Sequence, residues 1–135
     1  MVREYVVDAG RGCVRVRLSG VLTTAALLTT FLDVQRDPRV TSEFRALIDL
    51  RGITAISDIR HEDVRTIASW HLDGVARRAF VAQHPAVVGL CETFAILRDL
   101  VDGAEPVAVF RSVADADAWL DLPVGERQPG EVAER

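Results

Sequence analysis

The sequence predicts one α/β domain, a mixed five-stranded sheet that opens with an N-terminal hairpin and carries about four helices. Three observations lead there. The run Ala46-Leu47-Ile48-Asp49-Leu50, interrupted only by Asp49 and closed by Arg51-Gly52, has the near-continuous apolarity of a strand buried on both faces of a mostly parallel sheet. Segments of period two and period 3.6 alternate on either side of it. Finally, 135 residues, 49% hydrophobic and 27% charged, can enclose one core without a disulfide or metal staple. The surrounding stretch Phe44 to Ile59 therefore organises the chain, and the loop after its strand is where an open α/β sheet places its working end.

The elements follow in order. Residues 2–8 and 13–19 read as two strands joined by Ala9-Gly10-Arg11-Gly12, whose glycines can take the positive φ of a tight reversal. In the second strand Val14, Val16 and Leu18 alternate with Cys13, Arg15, Arg17 and Ser19, so Arg15 and Arg17 are expected to face water. With Arg3 and Arg11 they form either an anion-binding strip or charges that discourage edge pairing. A helix capped by Thr23 or Thr24 then sets Leu27, Leu28, Phe31, Leu32 and Val34 on one face and stops before Pro38. After the central strand, a helix from Asp63 to Asp73 places Val64, Ile67, Ala68 and His71 on one side, and Gly74 ends it. Residues 77–83 form a short strand; His84 is a loop or cap residue and Pro85 opens the third helix.

That helix, Pro85 to Asp102, is the second informative stretch. Leu97, Leu90, Val101, Phe94 and Val87 form its core stripe, and Gly89, Ile96 and Leu100 widen the apolar arc to about half the helix, against the ~100° that packing on a sheet needs. The excess is covered by a neighbouring helix, by a second subunit, or by an apolar ligand. Gly89, Thr93, Ile96, Leu97 and Leu100 are thus the candidate interface or pocket residues. Gly103 closes the helix, residues 106–111 form the last strand, and Ser112 to Asp115 caps a short helix burying Ala116, Trp119 and Leu120. The domain is expected over residues 1–122, with 123–135, rich in Gly, Pro and charge, as a disordered tail.

Taken together, Asp37-Pro38-Arg39, the stretch from Phe44 to Thr54, Val109-Phe110-Arg111 and the stretch from Ala114 to Leu120 resemble the bacterial SpoIIAA-like (STAS/SEC14-type) small-domain family over nearly the whole chain to Leu122. The resemblance implies a STAS-like fold in a small cytoplasmic protein. Relatives of this fold include anti-sigma-factor antagonists, which are protein-interaction switches, and SEC14 domains, which hold lipids. Antagonists carry an Asp-Ser-Ser-Gly pattern after the central strand, whereas this chain reads Ser57-Asp58-Ile59-Arg60. Ser57 is the displaced candidate acceptor, and Asp58 is already negative.

Other classes are disfavoured. A net charge of -4 argues against a general nucleic-acid binder, and no apolar run approaches a membrane span. The two cysteines lack metal-ligand spacing, which points to a reducing cytoplasm, and no metal or cofactor is expected. His61-Glu62-Asp63 has no second His four residues on, and no nucleophile elbow, phosphate loop or dinucleotide fingerprint occurs. Cys13 and Cys91 need a base within reach to act as nucleophiles, and Asp49 in a buried strand must find donors such as Arg51. No catalytic residue is assigned. The leading expectation is a non-catalytic binding or regulatory homodimer, followed by a carrier of a lipid or small apolar ligand beside the third helix, then a phosphoswitch at Ser57.

Overall fold

The computed structural model describes residues 2–69 and 75–121. Its elements are β1 (Val2–Asp8), β2 (Cys13–Leu22), α1 (Thr24–Arg36), β3 (Arg45–Ile56), α2 (His61–Ala68), β4 (Arg77–Val81), α3 (Pro85–Asp99), β5 (Val107–Phe110) and α4 (Val113–Leu120). The five strands lie in the order β1-β2-β3-β4-β5. Only β1 is antiparallel to its neighbour, so the sheet is mixed with a leading hairpin, as the sequence predicts.

Because side chains alternate across a strand, the sheet feeds two cores. Ala46, Ile48, Leu50, Phe80 and Val109 face α1, α2 and α3, whereas Leu47, Ala79, Val81, Ala108 and Phe110 meet Ala116, Trp119 and Leu120 of α4. β3, at the centre, supplies both, which is why its apolar run is continuous. On the three-helix side, rings of Phe31, Phe80 and Phe94 lock α1, β4 and α3 together at centroid distances of 5.4 to 6.5 Å.

Local chemistry sets the boundaries. Thr23 caps α1 by accepting the Ala26 N–H at 3.2 Å. Ser112 caps α4 by accepting the Asp115 N–H at 3.1 Å. α2 starts at His61, two residues before the expected Asp63, because Asp63 is not the cap; its carboxylate accepts the Arg60 N–H at 2.8 Å. α3 ends at Asp99, short of Asp102: Leu100 and Val101 bond back to Leu97 and Arg98, and Gly103 at φ 77° reverses the chain. The expected continuation of α2 through His71 to Gly74, and the tail at 123–135, lie outside the described residues.

Two further expectations are corrected. Arg51-Gly52 does not close β3, which continues to Ile56 beside a lengthened β2. Gly52 allows this, since a Cβ there would come within 2.7 Å of the Ser19 Cβ, at a register shift of the β2–β3 ladder. Gly52→Ala is expected to cost about 1–3 kcal/mol by forcing these strands apart, read as a lower urea midpoint. The arginine strip is also divided. Arg3 lies opposite Leu18 and pairs with Asp33 of α1, whereas Arg15, on the other side of the sheet, does not simply face water but binds Asp117 of α4 at 2.6 Å.

Candidate functional site

The candidate surface is built on α3. His84 Nδ1 accepts the Ala86 N–H at 3.1 Å and Pro85 occupies the first turn, so the helix start is fixed locally. Val87, Val88, Cys91, Phe94 and Arg98 are buried. On the opposite side Gly89 is exposed, Thr93 and Leu97 are half-buried, and Ile96 and Leu100 are 66% and 77% exposed. No described element covers Ile96 and Leu100, so the neighbouring-helix explanation of the wide arc fails there. α3 sits on the sheet through Val87, Cys91 and Phe94, and this orientation leaves the Gly89–Ile96–Leu100 side turned outward. A Cβ on Gly89 would meet no atom within 4 Å. Glycine in a helix interior costs about 1 kcal/mol relative to alanine. The packing of this chain does not require it.

Beside α3, at the carboxyl ends of the strands, Leu22, Leu27, Phe31, Leu50, Val64 and Leu90 are among the residues that line an apolar crevice between the three helices. Its free interior is about 30 Å³. That suits a water-sized body, yet the walls offer water no hydrogen-bond partner, so the space is dry. Cys91 also lines it, and burial pushes that thiol up to about 12. Burial likewise raises Cys13. Neither thiol is ionised at neutral pH, which removes the nucleophile form.

The loop after β3 lies at the start of α1. Asp58 has φ 57°, and its Oδ1 accepts the Thr24 N–H at 3.1 Å while its carbonyl accepts the Thr24 hydroxyl at 3.0 Å. A carboxylate thus satisfies the first amide of α1, with favourable helix-dipole alignment. Ser57 is exposed, and its N–H donates to the Leu22 carbonyl at 2.8 Å. The structure does not bring this loop's Ser57 and Asp58 into the α3 surface.

Asp49 finds the donors that burial demands. Arg51 binds it through Nε at 3.0 Å and Nη2 at 2.8 Å, and the Arg51 N–H adds a third bond at 3.0 Å. Burial pushes the carboxyl up, but these bonds outweigh it and hold Asp49 below its usual value. It is therefore a fixed carboxylate, unsuited to take up protons. On the α1 side, the Tyr5 hydroxyl donates to Asp37 at 3.0 Å, and burial followed by that bond raises Tyr5 to about 12.

Sequence reasoning missed a buried ionic triad. Glu105 accepts from Arg78 Nε at 2.7 Å and from Arg98 Nε and Nη2 at 2.9 and 2.7 Å, with all three side chains at most 4% exposed. Arg98 Nη1 also donates to the Ala68 carbonyl at 2.8 Å, tying α3 to the end of α2. Desolvation lowers the Arg78 guanidinium, and Glu105 opposes that shift. The signal was present in the spacing: Arg98 follows Cys91 and Phe94 at core intervals, within about 20° of Val87 on the helix.

No family model and no curated protein matches the chain. Among solved structures, it is similar to an uncharacterized protein of the DUF3478 family with a SpoIIAA-like fold from Shewanella loihica PV-4. The two share 18% identity over 87% of this chain and 93% of the other, with a TM-score of 0.56. No helix among the described residues is long and apolar enough to cross a membrane. Sheet order, helix placement and this likeness agree that the chain has a SpoIIAA-like α/β fold.

Proposed function

We propose that this chain is a non-catalytic binding module acting through protein–protein contact on the outer side of α3, with a second copy of itself as partner. The observation that supports it is the exposure of Ile96 and Leu100 beside the uncovered Gly89. In an antiparallel pairing with the two-fold axis between Thr93 and Ile96, the Leu100 of one copy falls over the missing side chain of the Gly89 of the other. Knob and notch then lie on the same strip of surface. Burying four such aliphatic side chains yields about 6–12 kcal/mol, against an association cost of about 4–15 kcal/mol. The expected dimer is therefore weak and concentration-dependent.

The test is Ile96→Glu with Leu100→Glu, followed by light scattering and urea unfolding. The parent chain should gain mass as concentration rises. The double variant should stay monomeric with the urea midpoint that the parent chain shows when dilute, because both side chains are exposed in the monomer. Unchanged association in the variant would remove α3 as the contact.

The apolar crevice supports a second reading, the binding of a small apolar ligand beside α3. At about 30 Å³ it cannot accept an acyl chain unless α1 and α3 separate. Native mass spectrometry of gently purified protein separates the two readings, since a bound small molecule and a dimer differ in mass. No ligand on the monomer would count against the second.

A further inference from the structure

The acidic residues of α3 lie along one edge of its bare strip. At ~100° per residue, Glu92 and Asp99 sit about 40° and 60° around the helix from Ile96, on the side away from Thr93 and Leu97. Both are exposed, and neither forms an ion pair among the described residues. The one basic residue of the helix, Arg98, is buried against Glu105 on the opposite side. The strip is therefore an apolar seam with carboxylates along one edge and no cation of α3 to balance them.

An antiparallel pair of α3 helices keeps this edge on the same flank of both copies, because its two-fold axis runs perpendicular to the plane of the two helices. With the axis between Thr93 and Ile96, Glu92 of one copy comes within about 3 Å, measured along the helix axis, of Asp99 of the other, and the second such pair follows by symmetry. Like charges so placed weaken the contact. A helix with a similar aliphatic stripe but lysine or arginine on that flank turns each repulsion into an attraction. We propose that the outer side of α3 takes a basic amphipathic helix of another protein, in competition with the second copy. Its leucines fill the notch at Gly89 and pack on Ile96 and Leu100, and its bases answer Glu92 and Asp99. This rests on the outer side of α3 being the contact surface, and not on self-association.

The probe is a fluorescent synthetic peptide of about 20 residues, long enough to be helical in water, with a leucine stripe and lysine on its remaining face. Its reference carries glutamate in place of lysine. By anisotropy the full chain should bind the lysine peptide and not the glutamate peptide, and sodium chloride should weaken the complex. Glu92→Gln with Asp99→Asn should weaken peptide binding about fivefold while tightening self-association in light scattering, whereas damage to the fold would weaken both. Glu43→Gln with Asp121→Asn, the same charge change on exposed residues outside α3, should leave peptide binding unchanged. No binding of the lysine peptide, equal weakening by the two pairs of substitutions, or binding retained in Ile96→Glu with Leu100→Glu would overturn the proposal. Peptide binding by a chain that never self-associates would remove the second copy as partner and keep this inference; self-association without peptide binding would do the reverse.

Discussion

Glu105→Gln is expected to lower the unfolding free energy by about 3–5 kcal/mol, because it leaves two arginines buried without their carboxylate. Arg78 and Arg98 are 4% and 2% exposed in their side chains, so water cannot replace Glu105. For a domain whose total stability is about 5–15 kcal/mol, such a loss brings it close to unfolding. Urea unfolding followed by circular dichroism measures it as a fall in midpoint without a change in slope. Glu62→Gln is the control. Its partner Arg60 is 3.4 Å away, and both side chains are at least 70% exposed, so the expected change is under about 1 kcal/mol. If both variants lost the same stability, burial would not be the source of the Glu105 effect. The triad joins the loop before β5 to β4, the end of α3 and the end of α2, so the loss should be cooperative rather than confined to one loop.

How far the fold was legible in the sequence depended on whether the signal was local. The Ala46–Leu50 run marked the central strand because both its faces are covered, and Thr23, His84-Pro85, Ser112 and Gly103 marked helix ends through bonds spanning a few residues. Arg77 and Arg78 were not legible. A charged pair at a strand start reads as solvated, and their partners Trp119 and Glu105 lie 42 and 27 residues away. Arg98 was legible in principle from its helical interval, but its partner Glu105 sits beyond the helix end. The candidate surface was half legible. The width of the α3 arc follows from its residues, whereas the bareness of Ile96 and Leu100 depends on how α3 is rotated against the sheet. The burial of the Arg45 Nε without an acceptor gave no sequence signal, since it depends on the strands paired on either side of β3.

Phe94→Ala is expected to cost about 3–5 kcal/mol, since it removes a buried ring that touches both Phe31 and Phe80, at 5.4 and 5.6 Å. The size of the loss depends on whether α1 and α3 close over the space. Phe94 already borders the dry crevice, so truncation should merge a ring-sized void with that space rather than open an isolated hole. A dry apolar cavity of that size accepts benzene-like molecules. The variant should therefore recover stability when titrated with benzene, as a ligand bound only to the folded state requires. The parent chain, whose crevice is about 30 Å³, should not respond. Equal stabilisation of both proteins would mean that α1 and α3 part readily in the native state, and would move the preferred reading from the outer side of α3 to the space beneath it.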